Sequence, residues 1–539
     1  MTKLLDRHGA PLRASAYSGF GGGFGGGGGF EGARSDRQQT RAWPSFSIPS
    51  SNETMGARQP TSARARDLVR NNGNAKGAQT KQIARVIGKG RRFRCRPDHE
   101  ALGISTDQAR ELGRAIEREL ALWGGGMRPQ CDIGREMSYG QMQRVMYADR
   151  YTAGENTAAI RWRPNRGTRY ATCLQLIDPE RLGNANDMPD TPQKRQGIHF
   201  SDDGEPTAYD IRRFHQGDVA MGAWAFEWDE LPRFDGDGRP VLVHGFTADR
   251  AEQVRGLSAF ASILIAFRDV QRFTEAELGA AIINALFAAF VKSNFDPIAV
   301  AESLGLEGGG DLAGQVQSWQ SVRGEIAADG YRIGDNLLPV LAPGDDVSVP
   351  TGGRNTGGFD QFAGAVHRGI ANGLGMDAPT FTGDLSGVNY SSLQYGLAGI
   401  WDLVTGEGFE FDSDTLAPIE YAVIQEAFER GYITEPSGAD HSFDDLPQAY
   451  LNGRHIGPGR PQIDRVKNAQ ASALEIYLGL DSATNIAAEN GRDYEEILAD
   501  QAEERALAEQ YGFVRATLSE VGGVKSEDPD QAQHPETRP

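Results

Sequence analysis

HGFTADRAEQVRGLSAFASILIAFRDVQRFTEAELGAAIINALFAAFV, residues 244–291, is the stretch on which the fold turns. It completes a strand expected over Pro240–Phe246 and leads into a helix expected over Thr274–Lys292. Thr274 and Glu277 fit the S/T-x-x-E pattern that satisfies free amides at a helix start. The helix body is alanine with small and medium apolar residues, suited to close packing on a neighbouring helix. Its apolar run, Leu278 to Val291, is 14 residues long and interrupted by Asn284. That is short of the ~20 residues needed to cross a bilayer, so a buried helix or a helix–helix contact is expected.

Downstream, two glycine-bearing segments (305–310 and 351–358) flank short strands expected over Arg332–Val349 with a turn at Pro343-Gly344. A second strong helix is expected over Phe359–Leu374. There Phe359, Phe362, Val366 and Ile370 recur at spacings of three and four, and Gly375 and Pro379 mark the end. APTFTGDLSGVNYSSLQYG (378–396) follows as a polar, glycine-bearing loop. Further helices are expected over Leu393–Val404, Pro418–Arg430, Asp464–Leu478 and Ser482–Tyr511, the last broken near Gly491.

Upstream, order is expected from about Thr61, with two helices broken at Asn72-Gly73, then helices over Asp107–Trp123 and Tyr139–Tyr151. Strands follow: Thr172, Leu174 and Leu176 alternate, and Ile198–Phe200 and Thr207–Ile211 flank the hairpin signal Asp203-Gly204. Asp235-Gly236-Asp237-Gly238 reads as a plain turn, because it lacks the later bidentate glutamate and the length of a calcium loop. Residues 1–60, with GFGGGFGGGGGF at 19–30, have little to bury and read as a flexible tail, as do residues 522–539.

The 539 residues carry a net charge of −19, unevenly placed. Residues 1–100 hold 18 Lys and Arg against 7 Asp and Glu, so the remainder carries a net −30. A protein that grips DNA by its phosphates would show a basic face through its folded body, so this body is expected to repel phosphates. Cys95, Cys131 and Cys173, odd in number and widely spaced, suit neither a disulfide framework nor a zinc site and read as reduced thiols. The N-terminus lacks the apolar core of a secretory signal, which implies a start in the cytoplasm.

No catalytic pattern emerges. Gly88-Lys89-Gly90 lacks the following Ser/Thr and the earlier Gly of a phosphate loop. Gly383-Asp384-Leu385-Ser386-Gly387 has the wrong spacing for a nucleophile elbow and follows no strand. The nine histidines, His367 in its helix among them, are scattered, and Asp202-Asp203 and Asp345-Asp346 read as solvated loop acids. No catalytic residue, metal or cofactor is expected.

Several segments, in order, carry a family resemblance. RARDLVRNNGNAKGAQTKQIARVIGKG (64–90), LIDPERL (176–182), GIHFSDDGEPTAYDI (197–211), the R-G-x-S run within 244–291, TGDLSGVNYSSLQYGL (382–397) and IDRVKNAQASALEIYLGLDSATNIAAENGRDYEEIL (463–498) resemble portal proteins of lambda-like tailed phages. One departure is Arg465, where the family pattern places proline after Ile-Asp.

The resemblance implies an α+β portal fold assembling as a ring, commonly a dodecamer. Its parts would be a wing (61–273), a stem (helices 274–294 and 355–377), a small α/β clip (295–354), a tunnel loop (378–393), further wing and crown helices (394–450), and a helical crown (451–521). Thr382, Gly383, Asp384, Leu385, Ser386, Gly387, Val388 and Asn389 would line the channel, and Ala281, Ala285, Phe287, Ala289, Phe362, Val366 and Ile370 would pack the stem. Implied partners are further copies of the chain, double-stranded DNA passing without sequence-specific binding, the terminase large subunit, a head–tail adaptor, and major capsid and scaffold proteins, with no membrane. A metal-dependent nuclease and another structural head protein remain as alternatives.

Overall fold

The N-terminal helix pair is present but begins sooner than its sequence suggests. Helix α1 runs Ser50–Asn71 and passes straight through Pro60. Proline removes one helical amide, a cost of ~3 kcal/mol, and anchors on both sides of it hold the helix. The Ser50 hydroxyl donates to the Ala251 carbonyl (3.0 Å), the Gln196 amide to the Ser51 carbonyl (2.8 Å), and the Arg66 guanidinium to both oxygens of Asp178 (2.9 and 2.7 Å). Asn72 then caps α2 (Gly73–Val86) by accepting from the amides of Asn74 and Ala75, as the Asn-Gly break predicts. The computed structural model describes residues 42, 47–286, 331–333, 336–338 and 358–513.

Strand β1 (Arg92–Cys95) precedes α3 (Thr106–Gly124) and α4 (Tyr139–Ala153), both opened by Ser-x-x-Gln capping boxes. On α3, Ala109, Leu112, Ile116 and Trp123 form the buried face. Each large side chain there contributes ~1.5–3 kcal/mol on leaving water, and the Trp123 indole also donates to the Thr172 carbonyl (2.9 Å).

A three-stranded antiparallel sheet in the order β3-β2-β8 is built from β2 (Glu155–Trp162), β3 (Thr172–Ile177) and, later in the chain, β8 (Leu242–Phe246). A four-stranded sheet in chain order holds β4 (Lys194–Arg195), β5 (Ile198–Phe200), β6 (Pro206–Arg212) and β7 (Trp228–Pro232). The Asp203-Gly204 hairpin and the Asp235 turn appear as expected, with Asp235 accepting from the amides of Asp237 and Arg239. Central strand β2 escaped the sequence reading because Glu155–Ile160 is buried on both faces and so has no alternation to detect.

The expected start at Thr274 is corrected. Helix α5 runs Leu264–Leu286, and the Thr274 hydroxyl donates back to the Val270 carbonyl (2.9 Å) instead of capping. Short strands β9 (Tyr331–Ile333) and β10 (Asn336–Leu338) pair antiparallel. The rest of the expected clip, residues Phe287 and Ala289, and most of both tails lie outside the described residues.

Helix α6 (Gly358–Gly373), the short α7 (Ala378–Thr382) and α8 (Tyr390–Phe411) follow, so the loop expected over 378–396 narrows to 383–389. Between α8 and α9 (Ala417–Glu429), residues Asp412–Leu416 form a π-helical turn. Pro418 lacks the amide that would bond the Asp414 carbonyl, and the helix widens just before it. Short α10 (Pro447–Tyr450), strand β11 (Gly453–Ile456, paired with β1), α11 (Arg465–Tyr477), α12 (Ala483–Glu489) and α13 (Tyr494–Gln510) complete the chain. One large apolar core joins α1–α4, the β2 sheet, α5–α9 and the aromatic group Phe428, Phe443 and Tyr450. A smaller core lies between the two sheets around Ile177, Ile198 and Ile211.

Candidate channel loop and its buried supports

Residues 383–389, following Thr382 at the end of α7, form a largely exposed loop with a fixed root. Asp377 caps α7 by accepting from the Thr380 amide (3.1 Å), and Gly383 turns the chain out in the left-handed region (φ 78°) that favours glycine. Beyond it the Asp384 amide donates to the Thr382 hydroxyl (3.2 Å) and the Ser386 amide to the Asp384 carboxylate (2.9 Å). Hydrogen bonds from Ser386 hold the Asp384 carboxyl below its ordinary pKa, so the tip carries a fixed negative charge. Residues 382–389 contain no cation, and Leu385 is 60% exposed.

The root is held from a helix some 300 residues earlier. Lys81 of α2 donates to the carbonyls of Thr380 (2.5 Å) and Phe381 (3.2 Å), and Arg85 to the Thr380 hydroxyl (3.2 Å). Cations at the carbonyl end of a helix are favourable there. Phe381 is buried between Phe267 of α5 and His367 of α6, each ring 6.0 Å away. His367 is therefore a core neighbour, and burial lowers its pKa.

Of the expected stem contacts, Ile370 is buried and Val366 packs on the core. Phe362 meets Phe273 (4.8 Å between rings) yet stays 49% exposed, and Ala281 is exposed. Ala285 lies within α5.

What the sequence reading missed is a set of buried ion pairs. Arg255, of the R-G-x-S run, is fully buried and spends its guanidinium on Glu155 (2.6 Å to Oε2, and also Oε1) and on the carbonyls of Pro179, Leu182 and Gln196. Glu155 also meets Arg58 (3.2 Å) and His244 (3.0 Å). Burial works against its charge, but Arg255, Arg58 and His244 outweigh burial and hold its pKa well below the carboxylate range. Gly256 is required beside it, since a Cβ there would overlap the Gly154 carbonyl oxygen.

Around the π turn, Asp412 takes the Arg91 guanidinium (2.5 and 2.6 Å) and Asp414 that of Arg150 (2.7 and 2.8 Å). Nearby, Glu420 meets His455 (2.8 Å), and Glu426 accepts from the amides of Ala171 (2.7 Å) and Thr172 (2.8 Å). Part of the acidity of the folded body thus fastens the core. The signal was available as single carboxylates inside apolar helical stretches, but spacing names no partner.

Cys95, Cys131 and Cys173 are free and buried, and burial raises each thiol pKa. His199, Asp210 and Glu230 bring three ligand atoms within 4.8 Å across the β5–β6–β7 strands. Asp210 already holds Lys194, His199 (2.9 Å) and the Ala185 amide (3.1 Å), so the group reads as a hydrogen-bonded network and lends the nuclease alternative no support. Among the described residues no helix is long and apolar enough to cross a membrane.

The sequence model of the lambda family of phage portal proteins matches residues 36–407. The portal protein of Escherichia phage N15 is 28% identical over 529 residues, covering 96% of each chain. Portal protein B of Escherichia phage lambda is 28% identical over 475 residues, 86% of this chain and 87% of that one. A solved chain from the neck of an empty gene transfer agent particle is 13% identical, covers 80% of this chain and 94% of its own, and superposes with a TM-score of 0.40. The chain belongs to the lambda family of phage portal proteins. Its work is therefore that of a structural portal subunit, not of an enzyme.

Proposed function

We propose that the chain assembles head to tail into a closed ring of about twelve copies, seated at one capsid vertex of the virion and formed in the host cytoplasm. In this reading double-stranded DNA passes through the ring during packaging and ejection, with residues 378–393 as the tunnel loop. Residues 264–294 and 355–377 make the stem, 295–354 the clip, 61–263 and part of 394–450 the wing, and 451–521 the crown. The terminase large subunit and later a head–tail adaptor dock on the ring, which major capsid and scaffold proteins surround.

Within the chain, uncovered apolar surface carries the ring. Ile265 (76%), Leu278 (61%), Phe362 (49%), Tyr395 (85%), Leu403 (51%) and Phe409 (70%) stand exposed on α5, α6 and α8. They lie on three helices of the proposed stem and its neighbour, where a head-to-tail copy would cover them. The loop supports the passage of DNA: it offers one fixed anion and no cation, hence no phosphate trap.

Native mass spectrometry with negative-stain microscopy tests the ring, for which roughly a dozen copies around a hole are expected. A compact particle of one or two copies would argue against it. Asp384→Lys tests the lining role, with slowed or stalled DNA packaging expected; unchanged packaging would remove Asp384 from the channel.

A further inference from the structure

Among the described residues, six arginines gather between β1 and α3. Alternate residues of a strand share a face, which aligns Arg92, Arg94 and, just past the strand end, Arg96, with steps of ~6.8 Å. Residues four apart on a helix share a row, which aligns Arg110, Arg114 and Arg118 with steps of ~6 Å. The two rows line adjoining clefts of about 360 and 1300 Å³.

The middle of this double row is filled by anions from the same chain. They are the three carboxylates at the start of α13. Asp493 meets Arg94, Glu495 meets Arg114 (3.0 Å) and Arg110 (3.9 Å), and Glu496 meets Arg92 (3.2 Å) and Arg94 (3.9 Å). Glu117 of α3 also sits on Arg94 (2.5 Å), and Asp107 on Arg110 (3.2 Å). At the two ends, Arg96 and Arg118 are exposed and have no ion-pair partner among the described residues. The row of cations is therefore longer than the acidic turn that occupies it.

That turn is also weakly held. From residue 457 to 513 only Ala487 and Asp493 are buried, and neither α11 nor α13 buries a residue. Apart from the carboxylates, the helices are tied to the body by polar contacts such as Arg454 to the Asn485 side chain (3.0 Å) and to the Thr484 carbonyl (3.3 Å). Glu495 and Glu496 are 39% and 45% exposed, so solvent and competing anions reach both.

We propose that the β1–α3 arginine cleft binds the phosphodiester backbone of duplex DNA, and that the acidic first turn of α13 occupies it in cis, so that duplex and α13 compete. Arginine suits this task because its planar fork recognises phosphate and carboxylate oxygens alike. A duplex strand offers an unbroken line of anions, able to engage Arg96 and Arg118 together with the four that α13 now neutralises. The choice of DNA as the polyanion rests on the portal reading; the double row does not.

The test is fluorescence anisotropy of a labelled mixed-sequence duplex of about thirty base pairs with the full chain, at about 50 and 200 mM salt. Asp493→Asn with Glu495→Gln and Glu496→Gln should bind about tenfold tighter than the parent at the lower salt. Adding Arg96→Gln, Arg114→Gln and Arg118→Gln should return affinity to the parent level or below. The basic N-terminal segment is common to all these variants and cancels.

If the triple variant loses helical circular dichroism, Glu495→Gln with Glu496→Gln keeps the Asp493 cap and should still bind about threefold tighter. No gain from either acidic variant overturns the proposal, as does a gain that survives the arginine substitutions. Displacement of the duplex by polyglutamate at lower charge concentration than by unlabelled duplex would assign the cleft to an acidic protein segment and overturn it too. Ring formation, read separately by native mass spectrometry, would leave the portal reading standing in each of those cases.

Discussion

Residues 50–456 and residues 460–513 are held in opposite ways. The first region closes over a large apolar core and seals its carboxylates in arginine pairs, as at Glu155, Asp412 and Asp414. The second consists of three helices of which two bury nothing, with Leu474, Tyr477, Leu478, Leu480, Leu507 and Tyr511 all more than half exposed. A helix of 13 or 17 residues gains little from propensity alone and depends on packing one face. The body thus has an apolar core of its own, whereas α11 and α13 have none within one chain.

The largest expected effect lies at the centre of the body. Arg255→Met leaves Glu155 buried with only Arg58 and His244 beside it, and removing one partner of a buried pair costs ~3–5 kcal/mol. Urea unfolding of the unassembled chain should show that loss, and Arg255→Met with Glu155→Gln should recover part of it. A loss no larger than at an exposed arginine such as Arg114 would mean that the buried pair does not hold the body together.

Gly256→Ala comes next. Its Cβ would overlap the carbonyl of Gly154, itself in the left-handed region (φ 99°) and packed on the Leu257 backbone, so neither segment can yield independently. A loss of about 1–3 kcal/mol is expected, as for an overpacked core. Unchanged thermal unfolding would show that the two backbones are not in contact.

Asp149 gives the same region a pH signature. Burial, reinforced by the Asp178 charge and only partly relieved by Arg66, raises its pKa to about 7. A carboxyl raised above its unfolded value of ~3.9 contributes most favourably below that value, and stability falls as pH rises through about 7. Asp149→Asn should therefore leave the unfolding midpoint unchanged near pH 4 and raise it at pH 8. Equal midpoints for variant and parent at pH 8 would place Asp149 in solvent.

These predictions fall on residues of unequal legibility. Asn72-Gly73, Asp203-Gly204 and the stripe Phe362, Val366, Ile370 were readable because turn chemistry and helical spacing are local. The loop 382–389 could be found from its glycines and polarity, but its root could not, since Lys81 and Arg85 reach it from some 300 residues away. Thr274 and Glu277 misled for a related reason: a capping box and a mid-helix threonine share one local pattern, and packing at Leu264–Phe267 carried the helix past it. The arginine cleft escaped because Arg92, Arg94 and Arg96 were counted with the basic first hundred residues, and nothing local in α3 says which strand Arg110, Arg114 and Arg118 lie beside.

The smallest effect on the single chain should come from the second region. Leu474 and Leu478 stand four residues apart on one face, each 58% exposed. Leu474→Ser with Leu478→Ser should move the unfolding free energy of the unassembled chain by less than ~0.5 kcal/mol, as exposed substitutions do. In the ring the same pair should reduce the assembled fraction seen by native mass spectrometry, because the face has no cover within its own subunit. A loss of more than ~1 kcal/mol in the unassembled chain would mean that these helices already pack within one subunit, and the contrast between the two regions would collapse. No change in either measurement would point the face away from a second copy, toward whatever lies on that side of the ring.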